Sequence, residues 1–174
     1  MRKYIFIFIT LFLFLTACSS DKTETKRHEE QINQIVKESL RFHHSETLFQ
    51  YEMILKRIIE GEDLRVVEGM LDAYSIQNNL YFLRLNEIKQ VLSEEQENEI
   101  YALYKSLSQH SRLLKEQIIE GELPSNPNIQ EISDSINEIK DISFDSNKLD
   151  GQLKEIKKLN SLLRDDNERR SPEN

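Results

Sequence analysis

Histidine side chains are the groups of this 174-residue chain best suited to bind a metal ion or to transfer protons. His43 precedes Glu46 by three residues, so the two side chains would share one face of a helix and could hold a metal ion together. Di-iron centres in helical bundles use paired Glu-x-x-His units, whereas the unit His43-x-x-Glu46 is reversed and unpaired. We therefore expect no metal centre.

Two histidines fall on helix faces that should be buried. His44 shares a face with Leu40 and Tyr51, and His110 continues the apolar row of the third predicted helix. Polar groups inside a helical bundle need hydrogen-bond partners, because water is excluded there. We expect His44 and His110 to be hydrogen-bonded core residues.

Enzymes bring a nucleophile, a base and orienting groups together in one cleft. This sequence contains no Gly-rich phosphate loop, no spacing typical of a Ser-His-Asp triad and no cluster of metal-ligating residues. The sequence therefore predicts a protein that is not an enzyme and that needs no cofactor.

Cys18, the single cysteine of the chain, ends the tetrapeptide Leu15-Thr16-Ala17-Cys18. Two basic residues, Arg2 and Lys3, precede an apolar stretch that covers residues 4–16. That stretch is shorter than the ~20 residues that a helix needs to cross a bilayer. A basic start, a short apolar core and small residues at the end are typical of a secretory signal peptide.

These first 20 residues resemble the lipobox signal of bacterial lipoproteins, in which small residues precede an obligatory cysteine. The resemblance implies that a diacylglyceryl group is attached to the thiol of Cys18. It also implies cleavage between Ala17 and Cys18 and acylation of the new amino terminus. The protein would then be anchored to the cell membrane, on its extracytoplasmic face. The alternative is an ordinary signal peptide whose last residues happen to be Ala-Cys.

The mature chain implied by this cleavage is strongly acidic. Cleavage removes Arg2 and Lys3 from the 23 basic residues, so 21 basic and 31 acidic side chains remain and the formal charge is −10. This charge repels nucleic acid and anionic lipid headgroups. We expect no nucleic-acid partner, and we expect the membrane contact to be the lipid on Cys18.

Apolar residues recur at intervals of three and four from His28 to about Leu163, which is typical of amphipathic helices. Gly61 and a capping box at Ser93 indicate helix boundaries, and a proline-containing segment at 121–128 indicates a loop. The clearest periodic row consists of Leu64, Val67, Leu71, Tyr74, Asn78, Tyr81, Leu85, Ile88 and Leu92.

These boundaries predict an all-α fold, an antiparallel up-down-up-down four-helix bundle of long helices. In the alternative, the second and third helices form one rod from Asp63 to Glu120, and the change of heptad phase after Leu92 is absorbed as a stutter. The segment Ser143–Asn147 is expected to interrupt the fourth helical segment.

The same reasoning predicts the domain boundaries. Residues 1–17 form the signal peptide, and the polar, aperiodic residues 18–27 form a flexible lipidated tether. Residues 28–163 form the helical bundle domain. Residues 164–174 are charged and aperiodic, so we expect a disordered tail.

Two groups of residues are candidates for binding. Ile35, Phe42, Phe49 and Met53 form a second apolar row on the first predicted helix, roughly opposite its buried face. Such a row needs a partner, which is another helix of the same chain, a second protein or a second copy. The other group lies between helices and could hold a small apolar or peptide ligand: Tyr74, Asn78, Tyr81 and His110.

The sequence therefore predicts a non-enzymatic, membrane-anchored lipoprotein that serves as an interaction or structural module of the bacterial envelope. The alternative is a lipoprotein that binds a ligand between its helices.

Overall fold

The computed structural model describes residues 2–84, 91–121 and 128–170, with side chains for 25–78, 91–121 and 128–170. The described residues form helices and connections without a strand, which confirms the all-α prediction. The helices are α1 (Arg2–Ile59), α2 (Leu64–Arg84), α3 (Glu94–Ile119), α4 (Asn128–Ile139) and α5 (Ser146–Arg170). The chain divides into two compact units, Met1–Val36 and Lys37–Asn174.

The first unit contains the amino-terminal part of α1, which begins at Arg2 and not at about His28. Residues 18–27, for which the sequence predicts a flexible tether, are helical. The first glycine of the chain is Gly61 and no proline precedes it, so nothing breaks the helix where the apolar periodicity fails. Among the described residues, none of the helices has an apolar stretch long enough to span a bilayer.

The core of the second unit surrounds α3. This helix packs against α2 and α5, and α5 also packs against α4. The part of α1 in this unit contacts α3 and α4 through His44. The largest fully buried side chains are Tyr51, Tyr74, Tyr104, Phe144, Leu40, Leu48, Ile54, Leu55, Leu71, Ile100 and Leu103.

The capping box predicted at the start of the third helix is present. The Ser93 side chain accepts a hydrogen bond from the Gln96 backbone, and the Gln96 side chain accepts one from the Ser93 backbone. Ser93 itself has extended backbone angles, φ −72° and ψ 160°. The alternative of a single rod from Asp63 to Glu120 is therefore wrong, because an extended residue cannot continue a helix.

The predicted fourth helical segment consists of two helices, so the described residues contain five helices where the sequence predicts four. α4 ends at Ile139 and α5 begins at Ser146, which confirms an interruption in this region. Ile142 and Phe144, in the connection, are both buried. Burial of these apolar side chains holds the connection in the core.

The predicted disordered tail is wrong as far as Arg170, because α5 continues to that residue. Asp166 and Asn167 are buried, and the Asn167 amide donates to the Ser106 carbonyl oxygen over 3.2 Å. The sequence predicts disorder because this segment lacks apolar residues, but buried polar contacts hold it against α3. Residues 171–174 lie outside the described part.

Candidate functional site

One face of α1 within the second unit exposes large apolar side chains. Phe42 is 65% exposed and Phe49 is 51% exposed, whereas Met53 is half-buried. Seven residues separate the two phenylalanines, so they lie on one side of the helix, two turns apart. The buried side of the same helix carries Tyr51 and Leu55.

Glu46 lies between the two phenylalanines on the same side of α1, four residues after Phe42 and three before Phe49. We refer to Phe42, Glu46, Phe49 and Met53 together as the α1 face. Nothing within the described residues buries its two phenylalanines, so the alternative that another helix of this chain covers the predicted row does not hold for them. Ile35, the fourth residue of that row, belongs to the first unit, where it is 69% exposed.

Three of the four residues predicted to hold a ligand between helices, Tyr74, Asn78 and His110, are packed into the core. The Tyr74 ring lies 4.7 Å from the Tyr51 ring, centroid to centroid, and Tyr51 also contacts His110. Asn78 is separate from this pair and donates to the Tyr104 carbonyl oxygen over 3.4 Å. The Tyr81 side chain lies outside the described residues.

His110 is the centre of a buried chain of hydrogen bonds that joins α1, α3 and α5. Its Nδ1 lies 2.5 Å from Tyr51 Oη, and its Nε2 lies 2.7 Å from Asp166 Oδ2. Asp166 Oδ2 also accepts from Arg170 Nε over 2.5 Å, and Arg170 bonds to Gln117. Since a carboxylate only accepts, Nε2 donates to Asp166 and Nδ1 accepts from the Tyr51 hydroxyl. We refer to this arrangement as the Tyr51 network.

Burial determines the electrostatics of this network. It lowers the pKa of His110, and the hydrogen bond to Asp166 opposes that effect without overcoming it. Burial alone would raise the pKa of Asp166, but hydrogen bonds from His110 and Arg170 outweigh it and lower that pKa. Burial also raises the pKa of Tyr51 well above its ordinary value. The network therefore holds a neutral imidazole beside an ionised carboxylate.

His44 makes a second, separate set of buried hydrogen bonds. Its Nε2 donates to the Ile139 carbonyl oxygen over 2.9 Å, so its Nδ1 accepts from Tyr104 Oη over 2.6 Å. Burial lowers the pKa of His44 to about 4. His44 and His110 are thus the hydrogen-bonded core residues that the sequence predicts, and both nitrogens of each ring are occupied.

The described residues contain no group of three or more histidine, cysteine or acidic side chains that could hold a metal ion. An open groove of about 430 Å³ lies between α2 and α3, and the sequence does not single it out. Its lining consists of Ser75, Lys105, Ser108, Gln109 and Arg112. None of these side chains is buried, and Arg112 already pairs with Glu116 at 2.7 Å, so the groove offers little to fix a ligand.

No family model, no curated protein and no solved structure matches this chain. The fold class, all-α, and the candidate sites therefore rest on the sequence and the geometry of this protein itself.

Proposed function

We propose that this protein is a bacterial lipoprotein, anchored to the extracytoplasmic face of the cell membrane through Cys18, that acts as a non-enzymatic interaction module of the envelope. The observation that carries the interaction role is the exposure of Phe42 and Phe49 on a helix whose opposite side is buried. The anchoring role rests on the tetrapeptide that ends at Cys18.

The anchor follows from the chemistry of acylation. Each buried methylene group contributes about 0.8 kcal/mol, and a single acyl chain holds a protein only marginally. A diacylglyceryl group supplies two chains, and acylation of the amino terminus adds a third. Together they would keep the protein on the membrane for as long as the thioether at Cys18 is intact.

The α1 face supports the interaction role through its side-chain types. Phenylalanine side chains bury ~150–250 Å² each, and aromatic residues at the centre of an interface supply much of its binding energy. Two of them in line along a helix match a partner helix that is laid against α1. Other exposed apolar residues lie on other helices, such as Ile76 on α2 and Tyr101 on α3, and serve as controls for the α1 face.

We also infer that α1, α2 and α3 alternate in direction, as in the predicted up-down-up-down bundle, and that α5 runs parallel to α3. Contacts between α1 and α3 join residues that follow the same order along both helices, so these two helices run parallel. The same holds for α3 and α5. Contacts between α2 and α3 join residues in opposite order, so these two helices run antiparallel. The supporting pairs are His44–Tyr104 and Tyr51–His110, Asn160–Glu99 and Asn167–Ser106, and Asn78–Tyr104 and Asp72–Lys115.

The anchor is tested by metabolic labelling with a palmitate analogue in a bacterial host that processes lipoproteins. The unsubstituted chain should be labelled and recovered with the membranes. Cys18→Ser should lose the label and leave the membrane fraction, because serine has no thiol to receive the diacylglyceryl group. Equal membrane retention of Cys18→Ser would contradict the proposed anchor.

The interaction role is tested by charge substitution on the α1 face. Phe42→Asp combined with Phe49→Asp should abolish co-purification of an envelope partner from solubilised membranes, because two carboxylates would replace the aromatic contacts. The matched control is Ile76→Asp combined with Tyr101→Asp, which changes equally exposed positions on other helices. Circular dichroism should be unchanged in both variants. Retention of the same partner by the phenylalanine variant would exclude this face.

A further inference from the structure

The α1 face combines its two aromatic side chains with an uncompensated negative charge. Glu46 is half-buried and makes no ion pair among the described residues. The cations nearest along α1 already have partners: Arg41 pairs with Glu38 at 3.0 Å, and Lys56 pairs with Glu52 at 2.6 Å. Lys140, directly after α4, also pairs with Glu52, at 3.2 Å.

A further carboxylate lies beside this face. The Ser45 hydroxyl donates to Asp141 over 3.2 Å, and Asp141 is exposed in the connection that follows α4. Ser45 is three residues after Phe42 and directly precedes Glu46. An occupant of the α1 face would therefore meet apolar contacts at both phenylalanines and negative charge between and beside them.

This charge argues against a second copy of the chain as the occupant. Parallel pairing of two α1 faces would set Glu46 against the Glu46 of the other copy. Antiparallel pairing that matches Phe42 with Phe49 would set Glu46 against the other copy's Ser45, beside its Asp141. Like charges in close apposition cost binding energy in either arrangement. An anionic lipid surface is repelled for the same reason, since the whole chain has a formal charge of −8.

We infer that the α1 face binds a basic amphipathic helix of another protein, which rests on the interaction role proposed above. Apolar side chains of that helix contact Phe42, Phe49 and Met53, and a lysine or arginine between them pairs with Glu46. A helix meets both requirements at once, because residues three, four and seven positions apart share one of its faces. The charge pair between the two phenylalanines selects the partner and its orientation.

The experiment is photo-crosslinking of the full chain in living cells. A benzophenone amino acid replaces Phe42 or Phe49, and in control strains it replaces Ile76 or Tyr101, which are exposed on α2 and α3. After irradiation, the crosslinked peptides are identified by mass spectrometry. We expect the first two positions to capture one segment with apolar residues at helical spacing and a net positive charge. The control positions should not capture it.

Charge variants in the same strains test the role of Glu46. Glu46→Lys should lower the yield of the adduct at least ~10-fold, because it places a cation against a cation. Glu46→Gln, which keeps the size of the side chain, should lower the yield by a smaller factor. Asp134→Lys, on the exposed side of α4, makes the same change of charge elsewhere and should leave the yield unchanged.

Capture of an acidic or uncharged segment of an envelope protein would overturn the basic-helix inference and leave the proposed interaction role standing. So would an adduct whose yield does not respond to Glu46→Lys. Capture of this chain's own peptides, or of lipid alone, would also overturn the basic-helix inference. If positions 42 and 49 capture no protein at all, both the inference and the interaction role fail.

Discussion

At the scale of single residues, hydrogen bonding explains why the buried position 51 carries a tyrosine. Its hydroxyl satisfies His110 Nδ1, whose opposite nitrogen is satisfied by Asp166. The adjacent Tyr74 differs, because its hydroxyl is buried and has no hydrogen-bond partner among the described residues. Tyr51 and Tyr74 are both buried and their rings are in contact. The Tyr51 hydroxyl should nevertheless stabilise the fold, and the Tyr74 hydroxyl should destabilise it.

Removing each hydroxyl separately should reveal this difference. Tyr51→Phe leaves a buried imidazole nitrogen unsatisfied and should lower the free energy of unfolding by about 1–3 kcal/mol. Tyr74→Phe removes a hydroxyl that is desolvated without compensation, so stability should stay the same or rise. Urea denaturation followed by circular dichroism measures both. Equal losses in the two variants would show that the hydrogen bond to His110 contributes nothing specific.

The buried histidines make stability depend on pH. Burial lowers the pKa of His44 from 6.5 to about 4, so at intermediate pH the unfolded chain binds a proton that the folded protein does not. The stabilisation is fully present above the unfolded pKa and is lost as pH falls towards the folded value. The lowered pKa of His110 acts in the same direction. Between about pH 7 and pH 4.5 the free energy of unfolding should fall by about 2 kcal/mol from His44 alone.

Adjacent variants separate this effect from general acid sensitivity. His44→Gln should flatten the pH dependence of the urea midpoint, because the titrating group is gone. His43→Gln, at the neighbouring half-buried position, is the matched control for loss of an imidazole. The lowered pKa of Asp166 affects stability mainly below about pH 4, outside this window. A slope unchanged in His44→Gln would assign the acid sensitivity to other groups.

At the scale of elements, the end of α5 is held by polar contacts in place of an apolar stripe. Asp166 is fully buried between His110 and Arg170, and Asn167 bonds to the α3 backbone. Leu163 is the last residue of the apolar row, so a helix boundary inferred from periodicity falls there. The helix continues for two further turns because α3 supplies the matching donors and acceptors.

Substitution of two neighbouring aspartates tests whether the end of α5 is an ordered part of the fold. Asp166→Ala should lower the free energy of unfolding by about 3–5 kcal/mol, because it leaves the Arg170 guanidinium buried without its carboxylate. Asp165→Ala, at an exposed position, should change it by less than about 0.5 kcal/mol. Urea denaturation of the two variants gives the comparison. Similar small effects for both would indicate a frayed tail.

At the scale of the whole molecule, the net charge and the exposed aromatic residues favour the same kind of partner. The chain has a formal charge of −8, and it exposes two aromatic residues around Glu46, which has no ion pair within the described part of the chain. Such a surface favours cationic, apolar partners over nucleic acid or anionic lipid. Its two buried histidine networks join α1 to α3, α4 and α5. The α1 face therefore belongs to a helix that is fixed by specific contacts on its other side.

Several features followed from the sequence because they depend on local spacing. Helical periodicity identified the buried side of α1 and the opposite row that contains Phe42 and Phe49. The capping box at Ser93 is a contact within four residues, so its chemistry is readable without the fold. His44 and His110 could be assigned to the core because helical geometry fixes which side of a helix each residue occupies.

Only the tertiary structure decided which polar groups meet. Nothing local indicates that Asp166 bonds to a histidine 56 residues earlier, or that His44 donates to the backbone of α4. It likewise decided that the connection between α4 and α5 is held in the core, since Ile142 and Phe144 are buried. The physical reason is the distance along the chain over which each feature is determined. A helix face depends on the periodicity of neighbouring residues, whereas a hydrogen-bond partner depends on which faces pack together.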